Sequence, residues 1–146
     1  MPRYRDRRGG RVVVAAFLVL AAGCGQRPTL VPLSGRVTLA GKPLEFGSVM
    51  IQPTAGPAAR ATIQPDGTFT AGTFAPGDGA IPGPATVRVA CYEQQRPGAT
   101  PPTGEPSLGK SLIPERYTQF ETSGITVAVA PGMPPLAIEL SAEPGP

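Results

Sequence analysis

Apolar and polar residues alternate one for one along several short stretches of this chain, and turns rich in Gly and Pro separate those stretches. Leu33, Gly35, Val37 and Leu39 share one parity, with Ser34, Arg36 and Thr38 on the other, which is the period of a strand with one buried face. Ala40-Gly41-Lys42-Pro43 then reverses the chain, Gly41 supplying a positive φ and Pro43 an extended exit. Val49 and Ile51 alternate with Met50 and Gln52 until Pro53 closes the run, and residues 60–64 place Ala61 and Ile63 on one side. Pro65-Asp66-Gly67 is a turn with a mechanism: the carboxylate accepts from nearby backbone N–H groups and Gly67 takes the left-handed position. Phe69 and Ala71 follow, pointing inward. In residues 85–93 Val87, Val89 and Cys91 face one way, Thr86, Arg88 and Ala90 the other. Ile125, Val127 and Val129, then Leu136, Ile138 and Leu140, supply two more runs. Seven alternating runs joined by turn chemistry predict an all-β sandwich over residues 33–141.

The intervening stretches carry no such period. Residues 54–59 are a loop of small residues, and residues 73–84 (TFAPGDGAIPGP) are a Gly/Pro-rich loop. Residues 94–112 hold four prolines and three glycines and almost nothing to bury. That segment is expected to be irregular, exposed and unnecessary for folding. The tail, residues 142–146, is polar and expected to be disordered. Gly and Pro make 39 of 146 residues, a share at which disorder competes, and the regular alternation argues against it for most of the chain.

Charge divides the chain. Arg3, Arg5, Arg7, Arg8 and Arg11 crowd the start, whereas from Cys24 onward eight basic and nine acidic residues leave a net charge of −1. The basic pI therefore belongs to a leader, and the remainder lacks the Lys/Arg cluster a nucleic-acid partner requires. Residues 12–22 (VVVAAFLVLAA) form an apolar run of eleven, too short to cross a bilayer as a helix and right for the helical h-region of a signal peptide. Leu20-Ala21-Ala22-Gly23-Cys24 resembles the lipobox of bacterial lipoproteins, with Ala21 where that family prefers Leu. The resemblance implies removal of residues 1–23, a thioether-linked diacylglycerol on Cys24, and a further acyl chain on the new amino terminus. The alternative is an ordinary secretory signal with an incidental Cys. Arg7-Arg8 lacks the rest of a twin-arginine motif. Residues 24–32 would form a short extended tether containing Pro28 and Pro32. Gly25 stands where an Asp marks inner-membrane retention in well-studied proteobacteria, so the resemblance points to the outer membrane or its periplasmic face.

Cys24, G-R-V-T-L-A-G-K-P-L (35–44), V-M-I-Q-P (49–53), P-D-G-T-F (65–69), V-R-V (87–89), I-P-E-R-Y (113–117) and T-S-G-I-T-V-A-V (122–129) together resemble a known set. They are similar to the small planctomycete lipoproteins with a carboxypeptidase-regulatory-like, transthyretin-like domain. The resemblance implies a seven-stranded Greek-key sandwich of the prealbumin type and brings no catalytic residues with it. Met133-Pro134-Pro135 departs from it, standing where relatives carry a polar residue before an aromatic.

Chemistry is sparse. The chain has no His, which excludes an ordinary Ser–His or Cys–His pair and any His metal ligand. Asp66 and Asp78 stand beside glycines, where turn formation is their expected work. Glu115 and Glu121 match neither a metal loop nor an acid/base pair. Residues 77–83 look faintly like a dinucleotide fingerprint, with one spacing too long and prolines where a helix should open. Ser107-Leu108-Gly109-Lys110 matches S-x-x-K without the companion motifs that give it meaning. Cys91 falls on the core parity and is expected to be a buried, inert thiol; with Cys24 lipidated, no disulfide partner remains for it inside the chain. No cofactor, metal or catalytic residue is expected. The reading is a lipid-anchored, non-catalytic envelope protein with a structural or protein-contact role. The alternative is a carbohydrate- or peptide-binding module using Tyr92 or Tyr117 as an exposed stacking surface.

Overall fold

The computed structural model describes residue 25 and residues 27–100, 103–104 and 107–143. Each alternating run forms a strand. In chain order these are β1 (Ser34–Leu39), β3 (Ser48–Pro53), β4 (Ala59–Thr62), β5 (Thr68–Thr70), β6 (Gly83–Ala90), β7 (Ile125–Val129) and β8 (Leu136–Leu140), with an additional two-residue strand, β2 (Lys42–Pro43). They build two four-stranded sheets. One runs β4-β3-β6-β7 and is antiparallel throughout. The other is centred on β1, which pairs in parallel with β8 along Gly35–Leu39. Because β8 occupies that whole edge, the opposite edge of β1 is shared end to end by β5, against Ser34–Arg36, and β2, against Thr38 and Leu39.

Val37 sits at the seam between β5 and β2, and the turn chemistry closes it. Its N–H donates to the Gly67 carbonyl at 2.8 Å and its carbonyl accepts from Leu44 N–H at 3.0 Å. Gly67 has φ +82°, and a Cβ there would stand 2.7 Å from the Val37 carbonyl oxygen. The turn therefore needs glycine twice over, for its left-handed backbone and for its close approach to β1. Asp66 Oδ1 accepts from Thr68 N–H (3.0 Å) and Thr68 Oγ1 (2.6 Å), the Asx arrangement that Pro65-Asp66-Gly67 predicts. In the β1–β2 hairpin both loop residues are left-handed, Ala40 at φ 50° and Gly41 at φ 79°. That is the sense of a two-residue turn matching the strand twist, and Ala40 adopts it without glycine's freedom.

The core lies between the sheets. Val37, Phe69, Ile138 and Leu140 from the β1 sheet meet Val49, Ile51, Val87, Val89 and Cys91 from the other in one buried cluster. The parity read from the sequence is the parity found. Phe69 fills the space that Gly35 leaves open: a Cβ at Gly35 would lie 2.6 Å from Phe69 Cζ and 2.4 Å from the Leu136 carbonyl oxygen.

One segment differs from expectation. Residues 94–112 are not wholly irregular, because their base is tied to the body. Tyr92 bridges Ser111, Glu93 N–H donates to Lys110 O, Gln94 N–H to Leu108 O, and Leu112 N–H to Cys91 O at 2.8 Å. Leu112 packs on the core and Ile113 is buried. The prolines lie clear of this base, so its donors remain available to the ladder. Beyond it, a 3-10 turn at Glu115–Thr118 and a single α-helical turn, α1 (Phe120–Ser123), cover β6, and Gly124 at φ 66° ends α1. Elements this short leave no periodic trace in the sequence.

Candidate functional site

Cys24, the expected site of lipid attachment, lies outside the described residues, as do residues 1–23 before it. The structure does describe where the chain after Cys24 enters the domain. Residues 27–29 are exposed, and Val31 is buried and clamped to Ala80 by reciprocal N–H···O bonds of 2.9 Å. The clamp demands close backbone approach. Gly79, at φ +104°, would place a Cβ 2.3 Å from the Val31 carbonyl oxygen.

The neighbouring loop, residues 73–79, is organised by Asp78. Its Oδ1 accepts from Thr73 N–H at 2.7 Å, and its Oδ2 accepts from Phe74 N–H (3.1 Å) and Ala75 N–H (2.9 Å). Thr73 Oγ1 donates to Gly79 O at 2.8 Å and closes the base. Partial desolvation pushes the Asp78 pKa up, but the three backbone N–H groups outweigh it and hold the carboxyl below its ordinary value. The glycines around Asp78 thus serve a carboxylate-capped turn, as the sequence implies. Phe74, at the tip of this loop, is 48% exposed, and the Arg27 guanidinium lies 5.8 Å from its ring centroid. Sequence reasoning passed over Phe74; its signal is an aromatic set between turn residues, off the parity of any strand.

An open groove of about 820 Å³ runs from this loop along the edges of β4 and β5, lined by Arg60, Thr62, Thr68, Thr70 and Phe74 among others. Its surface is more apolar than polar, with Arg60, Thr62 and Thr70 among the polar groups that can hydrogen-bond a ligand. Neither Tyr92 nor Tyr117 lines it. Tyr92 is half-buried at the base of the 94–112 segment. Tyr117, expected to be available at the surface, is buried. Its hydroxyl accepts from Arg116 Nη2 (2.7 Å) and from Ser141 N–H (3.1 Å), tying the 3-10 turn to the end of β8. A ring used this way offers no stacking face, which corrects the expectation for Tyr117.

The remaining candidates are structural. Cys91 is buried and reduced, and burial pushes its thiol pKa up, away from thiolate reactivity. Ser107 Oγ accepts from Gly109 N–H and Lys110 N–H donates to Glu93 Oε2, so the S-x-x-K residues form a turn, not a helix carrying a nucleophile. Arg88, on the outer side of β6, lies under the helical turns. Nη1 donates to Thr118 O (3.0 Å), Nη2 contacts Met50 Sδ, and its guanidinium carbon lies 5.3 Å from the Phe120 ring centroid. Among the described residues no group of three potential ligands could hold a metal ion, and no helix is long and apolar enough to cross a membrane. Comparison with protein-family models, with curated proteins and with solved structures finds no match in any of the three.

Proposed function

We propose that this chain is an exported lipoprotein, held on the envelope by diacylglycerol on the Cys24 sulfur. Its two-sheet body is a non-catalytic sandwich of the seven-stranded transthyretin-like type, like that of the planctomycete lipoproteins it resembles, with a structural or protein-contact role. The outer membrane or its periplasmic face is the location that Gly25 favours. The observation that carries the reading is the leader, an Arg-rich start and an apolar run of eleven residues that closes in Ala21-Ala22 and is followed by Gly23-Cys24. The exposed chain leading into the Val31–Ala80 clamp supports it, because a tethered domain needs a solvent-exposed lead fixed firmly at its inner end. Two acyl chains supply stable attachment where one is marginal. Cys24→Ser is expected to move the protein from the membrane fraction to the soluble fraction and to abolish labelling by a fatty-acid analogue. Labelling that persists in the variant would overturn the assignment.

The second reading is a glycan- or peptide-binding module, favoured by the open groove along β4 and β5 that Arg60, Thr62 and Thr70 line. Binding on a glycan or peptide array that is lost on Arg60→Ala would support it.

A further inference from the structure

We propose that the loop of residues 73–79 is a membrane-contact element: Phe74 enters the lipid headgroup region and Arg27 beside it meets anionic headgroups. This rests on acylation of Cys24. Cys24 precedes Arg27 by three positions, and three residues of fully extended chain span at most about 11 Å. The bilayer surface that holds the acyl chains therefore lies close to Arg27, whose guanidinium is 5.8 Å from the Phe74 ring centroid. The reciprocal bonds between Val31 and Ala80 hold the loop beside the point of chain entry, within reach of the surface the chain before it is fixed to.

The chemistry of the loop suits that surface. Phe74, Ala75, Pro76 and Gly77 are exposed and uncharged. The loop's one carboxylate, Asp78, is turned back onto the N–H groups of Thr73, Phe74 and Ala75. This arrangement withdraws negative charge from the tip and satisfies backbone donors that would be costly to bring into a lipid interface unpaired. An apolar side chain buried at the acyl boundary beside a cation drawn to anionic headgroups is the combination that binds an anionic bilayer surface. Leu108, the other large apolar side chain exposed among the described residues, belongs to the 94–112 segment and supplies an internal control.

The chain contains no Trp, so Phe74→Trp and Leu108→Trp each introduce a single indole reporter. The mature lipidated variants, extracted from membranes and reconstituted into anionic phosphatidylglycerol vesicles with brominated acyl chains, are read by flotation and by fluorescence. Flotation with a blue-shifted emission that brominated lipid largely quenches for Phe74→Trp, beside an unshifted and unquenched Leu108→Trp, supports the contact. Arg27→Gln in the Phe74→Trp background is expected to lose part of that quenching while flotation is unchanged. Flotation with both reporters unshifted overturns the contact and leaves the anchor standing. Failure to float overturns the anchor and the contact with it.

Discussion

Asp78 satisfies three backbone N–H groups with one carboxylate, and its ionisation is therefore coupled to folding. Desolvation opposes the charge and the N–H groups of Thr73, Ala75 and Phe74 outweigh it, so the folded-state pKa lies below the unfolded one. Between the two values the unfolded chain binds more protons, and stability rises with pH. The stabilisation is complete above the ordinary carboxylate range, roughly pH 4–5, and is lost as pH falls through the depressed folded value. Asp78→Asn keeps one acceptor oxygen and removes the titration. Urea midpoints measured across the acid range should then show a shallower loss of stability than the parent. Asp66, also lowered, chiefly by the Thr68 hydroxyl, is present in both proteins and cancels in the difference. Identical acid limbs would show that Asp78 does not hold the loop. At the β1–β2 hairpin, Ala40 bears the left-handed strain directly. Ala40→Asn, which gives the Asn-Gly pair favoured in such turns, should raise stability by about 0.5–1 kcal/mol in denaturant unfolding.

Elements were legible in this sequence wherever burial had a period. Val49/Ile51, Val87/Val89 and Leu136/Ile138/Leu140 announce their strands because one side of a sheet repeats every second residue. What escaped were pieces too short to repeat: β2, the turn at Glu115–Thr118 and α1. Composition also misled at residues 94–112, since prolines within the segment said nothing about the bonds at its base. Those bonds separate two experiments. Replacing residues 97–107 with a short Gly/Ser linker should change stability by no more than roughly 0.6 kcal/mol, the scale of a halved loop length. Ile113→Ala, at the buried position just after the 94–112 segment, should cost about 2–5 kcal/mol. A collapse of the thermal midpoint in the linker variant would place essential structure within the excised residues. The candidate site was the least legible part. The loop that bears Phe74 is set beside Arg27 by the pairing of Val31 with Ala80, residues far apart in sequence whose backbone contact has no local signature.

The molecule as a whole has one core shared by two sheets, and that has a consequence for cooperativity. Val37 in the β1 sheet and Val87 in the β6 sheet are both fully buried in the same cluster. The strands alternate between sheets along the chain, with β1 and β2 in one, β3 and β4 in the other, β5 back in the first, β6 and β7 in the second and β8 in the first. Neither sheet is a contiguous stretch of chain, so neither can detach as a unit without drawing the other's connections with it. Sub-global opening follows contiguous segments, and here such a segment would expose part of both sheets. Val37→Ala and Val87→Ala should therefore each destabilise by about 1.5–3 kcal/mol from lost burial and residual cavity. In native-state hydrogen exchange, each substitution should lower the protection of the slowest amides in both sheets by the same free energy, equal to the loss seen in urea unfolding. If Val87→Ala instead weakened amides of β3 and β6 while those of β1 and β8 kept their protection, the two sheets would be separate folding units.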